Sequence, residues 1–300
     1  MPALLLLGLG VLLVLGPIVG GMFSKVASGK QMIDQFAPHL EADALARYEA
    51  DLGVVRAGAA GVDAIFREQA VPVGQFPQLD AYRPQASSID RRSTELLARV
   101  TAAVPDYRKV SDVGGFDRIP FLIVAAGIVA VYGGCALLAS GRDRARSAVA
   151  LVMLAAAAVA LAPSVSHLYG GTQAGERMLH ALKPVMTSGE VRQLQDDFVV
   201  IVQAVGELDT SFRPIPHAGP AADAITKLDE SWPTISSDLA ALVGTINDNL
   251  ANYRALDDLN GLPRTLGLSG LSALPWMLVG VGGVTAALSV AARPRRGKEI

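Results

Sequence analysis

A single cysteine, Cys135, stands in 300 residues, so no intramolecular disulfide can staple the fold and a cysteine-built zinc or redox centre is excluded. Histidine is nearly as scarce. His39, His167, His180 and His217 are scattered, with no H-E-x-x-H and no other zinc-ligand spacing. There is no G-x-S-x-G elbow, no Walker-type Gly-Lys-Ser/Thr loop and no G-x-G-x-x-G following a strand. Gly8 and Gly10 lie inside an apolar run, where nucleotide binding makes no sense. Acidic neighbours such as Asp196-Asp197 and Asp257-Asp258 point in different directions on a helix and cannot both face one cation. These gaps predict a protein that is not an enzyme and that carries no metal and no cofactor. Charge is also sparse, at 18% of residues with a net of −2, and the basic footprint of a nucleic-acid binder is missing.

What the chain has instead is apolar sequence. Four stretches, Ala3–Phe23, Ile119–Ala139, Ala148–Leu168 and Leu271–Ala292, are free of Asp, Glu, Lys and Arg. Each is about as long as the ~20 helical residues that cross a bilayer core of ~30 Å. The first lacks the basic flank of a signal peptide, and its counterpart in the second half of the chain is internal, so it is read as a membrane anchor. Because the spans lack Asp, Glu, Lys and Arg, with His167 only at the end of the third, a proton relay, a voltage sensor and an ion-coupled pump are all disfavoured. Small residues recur at four-residue spacing: Gly16 with Gly20, Ala130 with Gly134, and Gly283 with Ala287. Such pairs let membrane helices approach closely. Phe23, Phe116, Phe121, Tyr169 and Trp276 sit where interfacial aromatics belong.

Arg142, Arg144 and Arg146 lie between the second and third spans, and Arg293, Arg295, Arg296 and Lys298 follow the fourth. Basic residues beside spans stay in the cytoplasm, which predicts cytoplasmic termini and two large extracytoplasmic segments. The expected order is spans at 1–23, 119–139, 148–168 and 271–292, outer segments at 24–118 and 169–270, a cytoplasmic loop at 140–147 and a tail at 293–300. Arg outnumbers Lys about three to one, and Ala, Val, Leu and Gly dominate, a usage common in GC-rich bacteria. The expected location is therefore a bacterial plasma membrane.

A shift of 146 residues aligns the two halves, making repeat units of about 1–146 and 147–300. Pro17 falls on Pro163, Gly29 on Gly175, Met32 on Met178, Pro38 on Pro184, Asp51 on Asp197, Phe66 on Phe212 and Tyr107 on Tyr253. Both halves keep an apolar seam at alternating three- and four-residue steps. It runs through Leu45, Tyr48, Leu52, Val55, Ala59, Val62 and Phe66, and again through Val191, Leu194, Phe198, Ile201, Val205, Leu208 and Phe212. A second seam runs through Ile89, Leu96, Val100, Tyr107 and Val110, with counterparts Ile235, Leu242, Ile246, Tyr253 and Leu256. Thr187 with Glu190 reads as a capping box, and the Pro-rich stretches Val71–Pro84 and Pro214–Pro220 read as loops.

The predicted fold is thus an all-α integral membrane protein with four transmembrane helices and two extracytoplasmic helical-hairpin or bundle segments in tandem repeat. Two amphipathic helices alone bury too little surface to order about 90 residues, so each copy is expected to lean on the other, Leu52, Val55 and Phe66 near Phe198, Ile201 and Phe212. The crevice between the copies would then be lined near Met32, Met178, Tyr107 and Tyr253. Arg108 with Asp112, and Arg254 with Asp258, stand four apart on a helix, as an exposed ion pair or a docking point for a partner or lipid headgroup. Surface without chemistry leads to a first expectation of an accessory or scaffold subunit of an envelope assembly, possible oligomers included. Its partners would be membrane lipids and other membrane or envelope proteins, with no nucleic acid. A lipid or small-ligand binder using the crevice, and a subunit of an oligomeric transporter, are the alternatives.

Overall fold

A computed structural model describes residues 1–113, 116–139, 142–212, 219–265 and 269–292. The basic tail, His217 and most of the Pro214–Pro220 stretch lie outside the described residues. Within them the chain is helical and has no strand: α1 (Pro2–Val19), α2 (Met22–Phe36), α3 (Ala42–Glu68), α4 (Pro77–Ser111), α5 (Ile119–Ala139), α6 (Arg142–Val165), α7 (Leu168–Leu182), α8 (Ser188–Glu207), α9 (Pro220–Asp248), α10 (Leu250–Thr265) and α11 (Leu274–Ala291). Four helical stretches are long and apolar enough to cross a membrane: Pro2–Val19, Ile119–Ala139, Ala145–Val165 and Leu271–Ala291.

The first and third spans end earlier than their apolar runs do. Gly21 (φ +63°) and His167 (φ +55°) break the chain in the left-handed region, and α2 and α7 begin just after them. The two residues are 146 apart, as are both ends of α2 and α7 and the starts of α3 and α8. Glycine adopts this backbone freely, whereas histidine does so against a steric cost. The copies also diverge. The second copy breaks the equivalent of α4 at the buried Asn249, whose Nδ2 donates to the Thr245 carbonyl at 2.9 Å. It also ends α8 in a single π turn, Leu208–Phe212.

The chain forms two compact units. Unit one comprises Met1–Ile33, Pro105–His180 and Asn252–Ile300, and unit two comprises Asp34–Val104 and Ala181–Ala251. In unit one, α1 packs along α5 and α6 along α11, and α5 with α6 and α1 with α11 join the two pairs. Glycine sets the closeness of these crossings. A Cβ on Gly10 would stand 2.8 Å from the Gly127 carbonyl oxygen, and one on Gly282 would stand 2.6 Å from the Ala156 carbonyl oxygen. Neither backbone could yield without moving a helix. Edge-to-face aromatic pairs recur in the two copies, Phe23 with Phe121 at 4.9 Å and Tyr169 with Trp276 at 5.2 Å.

Unit two is a four-helix bundle of α3, α4, α8 and α9, built from the two seams. Val55, Val62, Ile65 and Phe66 share one core with Ile201, Val205, Leu208 and Phe212. At one end Phe66 stacks on Phe212 (5.5 Å between ring centres) and Phe76 meets Phe212 edge-on (5.2 Å), beyond simple apolar burial. The closest helix pair, α3 with α9, joins different copies. Gly58 and Gly61 make it possible, because a Cβ on Gly61 would lie 2.7 Å from the Ala221 carbonyl oxygen and one on Gly58 would lie 3.0 Å from the Leu228 Cβ.

Candidate functional site

The residues singled out from the sequence all belong to unit one. Met32 and Met178 are buried core residues. Tyr107 donates its hydroxyl to the Ile33 carbonyl at 2.9 Å, and Tyr253 does the same to Leu179 at 2.8 Å, so each tyrosine ties two helices of its own copy. Burial, and secondarily Asp257, push the Tyr253 hydroxyl up to about 12. Arg108, Asp112, Arg254 and Asp258 are exposed. The space beside Met178, bounded by Gly29, Val113, Gly171 and Leu256, amounts to about 40 Å³. That holds a water or two and no organic ligand.

The larger opening lies in unit two. A cavity of about 290 Å³ runs between the four helices, lined on α3 from Leu45 to Asp63 and on α4 from Tyr82 to Val100. Leu194, Phe198 and Ile201 of α8 and Leu239, Leu242 and Val243 of α9 complete the wall. Eighteen helical rises of ~1.5 Å each separate the ends of either wall, which makes it about 27 Å long. It is a narrow slot, not a chamber.

Repeat arithmetic explains why the slot lies against α4. The counterparts of Gly58 and Gly61 in α8 are Ala204 and Glu207, and the counterpart of Leu228 in α4 is Tyr82. Where α3 takes α9 into a glycine groove, α8 presents side chains to α4. Glu207 does so usefully: one carboxylate oxygen accepts from the Gln78 and Leu79 amides, 2.8 Å each, and caps the α4 N-terminus. Held at that end by its cap and by buried Leu79 and Tyr82, α4 makes almost no close backbone approach to α3 or α8 along its length.

The charged groups on the wall are paired. Arg56 of α3 forks onto Asp90 of α4 (2.7 and 2.9 Å), and the hydrogen bond with that carboxylate raises the guanidinium further. Arg83 reaches Asp63 at 2.6 Å and lies 4.1 Å above the Phe66 ring. Arg92 forks onto the buried Asp197 (2.6 and 2.8 Å), which also accepts from Gln193 at 2.9 Å. His39 closes one end, its Nδ1 2.6 Å from the Tyr48 hydroxyl and its Nε2 3.0 Å from Thr245 Oγ1. Burial, opposed by Asp238, lowers the His39 imidazole and keeps it neutral at pH 7. Tyr82 on the wall is pushed up to about 12 by burial first, then by Asp90 and Asp63.

One crossing breaks the symmetry. The counterparts of Asp197 and Arg92 are Asp51 and Asp238, so the position that holds a fork in one place holds two acids in the other. Among the described residues Asp51 Oδ2 is buried without a hydrogen-bond partner. Burial and Asp238 raise the Asp51 carboxyl above its ordinary range, against Arg47, which sits 3.7 Å from Asp238.

The seam residues that line the slot were visible in the sequence as packing positions. The signal for a space among them was the small side chains along it, half-buried Ala59, Ala86 and Ser93, with Ala60 and Ser87 at its exposed rim. Comparison with family models, with curated proteins and with solved structures gave no match, so function is read from these residues alone.

Proposed function

We propose that this protein is a non-enzymatic, multi-pass protein of the bacterial plasma membrane that binds an apolar small molecule between the helices of its two copies. The slot in unit two carries the reading. A partly open cavity of about 290 Å³ whose wall is mainly Leu, Ile, Val and Phe offers apolar surface that a ligand would withdraw from water. Water is a poor occupant, since the wall's carboxylates and guanidinium groups already satisfy one another. The size is at the lower end of ligand sites, which run from ~300 Å³ upward. Arginines in the short loop and tail support cytoplasmic termini and extracytoplasmic segments at 24–118 and 169–270. Photolabelling in lipid nanodiscs with a compact aryl diazirine tests the reading. Label should appear on the peptides carrying Leu52, Val55, Leu96 and Phe198, and Ala59→Trp should abolish it. Label confined to the four spans would overturn the proposal.

An accessory role beside another membrane protein is the second reading, and one face of α11 favours it. Gly280, Gly283, Val284 and Ala287 are exposed, and among the described residues nothing outside their own helical turns lies within 4 Å of where a Cβ on Gly280 or Gly283 would stand. A partner helix could approach closely there. Gly283→Leu should then abolish co-purification of a membrane partner while leaving the melting temperature unchanged. If the same partners copurify with the variant, that face is simply lipid-exposed.

A further inference from the structure

The slot's shape names its ligand more closely, on the premise that it is a ligand site at all. Its length, about 27 Å by helix rise, is shared by α3 and by the antiparallel α4, so both walls are lined over the same distance. A volume of about 290 Å³ drawn out over that length favours an extended ligand over a globular one. The charged groups along it are spent: Arg56 on Asp90, Arg83 on Asp63, Arg92 on Asp197. A headgroup charge inside would have to break one of these forks and leave its partner uncompensated. Apart from the hydroxyls of Tyr82, Ser87 and Ser93, the wall therefore offers a ligand mainly hydrocarbon surface. Four spans place the chain in a membrane, where linear hydrocarbon is abundant.

We propose that the slot of unit two holds one extended hydrocarbon chain, the acyl or prenyl chain of a lipid, with any polar headgroup left outside. Recognition is by length and by apolar contact along α3, α4 and α8. Each methylene drawn in from water contributes about 0.8 kcal/mol, which converts to roughly fourfold in affinity. Affinity should therefore climb with chain length and level off once the slot is full. The exposed Arg56–Asp90 fork, spanning from α3 to α4, would lie over the chain.

The experiment uses the full chain in nanodiscs and a diazirine-bearing straight-chain fatty acid, competed by unlabelled straight-chain alcohols of increasing length and by adamantanol. The expected result is crosslinking to Leu52, Val55, Leu96 or Phe198, displaced more strongly by each longer alcohol and weakly by adamantanol. Ala59→Trp and, independently, Ala86→Phe should remove the crosslinks with the melting transition retained. The mass of the lipid that copurifies tells whether the chain belongs to a free fatty acid, a prenyl lipid or a phospholipid. Competition by adamantanol equal to that of the longest alcohol would overturn the linear-chain assignment and leave the apolar-ligand reading standing. Absence of slot labelling by both the chain probe and the compact aryl probe would overturn both.

Discussion

Two crossings in unit two are the same crossing by repeat, and they have opposite characters. At α3–α9, glycine brings the backbones together and two carboxylates, Asp51 and Asp238, face the seam. At α8–α4, side chains hold the helices apart and Arg92 bridges the gap to Asp197. A groove that closes by backbone contact needs no long side chain to span it. A gap needs one, and Arg92 with its long stem and planar fork supplies it. The difference shows how a duplicated bundle acquires a slot: the pseudo-twofold is kept in the helices and abandoned in the residues between them.

The largest expected effect comes from spoiling the close crossing. Gly61→Val would drive its Cβ into the Ala221 carbonyl oxygen and should cost about 3 kcal/mol in the unfolding midpoint of the reconstituted protein. The equivalent position in α8 already carries Glu207, so Glu207→Val should cost less, by the loss of the α4 cap alone; equal costs would mean the two crossings are not different in kind.

Next in size is the bridged crossing. Arg92→Ala leaves Asp197, only 6% exposed, with Gln193 as its remaining partner. Breaking a fully buried pair costs ~3–5 kcal/mol, and because Arg92 itself is 30% exposed a loss of about 2 kcal/mol is expected from thermal unfolding. A loss no larger than that of an exposed alanine control would make the fork a surface pair.

Asp238→Arg sharpens the comparison from the other side, since it writes the bridged crossing into the close one. It should stabilise the protein at neutral pH by about 1 kcal/mol if the new guanidinium reaches Asp51. The pH dependence gives a sign check. The folded state raises the Asp51 carboxyl, so its contribution is full at low pH and is lost as pH rises through the raised value. Asp51→Asn should therefore melt progressively higher than the native chain as pH rises above the ordinary carboxylate range. A difference independent of pH would place the effect outside Asp51's proton.

The smallest effect compares the two junctions of span and following helix. His167 carries the left-handed backbone that Gly21 carries in the first copy. Relief of ~1–2 kcal/mol of strain, less the added freedom of glycine in the unfolded chain, predicts that His167→Gly stabilises by about 0.5 kcal/mol. Gly21→Ala should do the reverse.

Much of this was readable in the linear chain. The apolar runs showed the four helices long and apolar enough to cross a membrane, the three-and-four spacing showed the bundle seams, and the 146-residue shift showed that α2 and α7 would be twins. Thr187 accepts from the Glu190 amide at 3.2 Å, as the capping pattern predicts. These features depend on side chains a few residues apart, whose relation is set by helix geometry alone. Met32 and Met178 were legible as repeat partners, yet their spacing could not tell a crevice from a closed core.

Only the tertiary structure decided which helices meet. Asp197 and Arg92 are 105 residues apart, and His39 and Thr245 are 206 apart. Nothing in local sequence says that α9 and not α4 approaches α3 closely. The substitutions that separate Gly58 and Gly61 from Ala204 and Glu207 are plain in the alignment of the two halves, but they acquire meaning only when a partner helix is placed against each. Close packing then turns two missing side chains into a contact and two present ones into a slot.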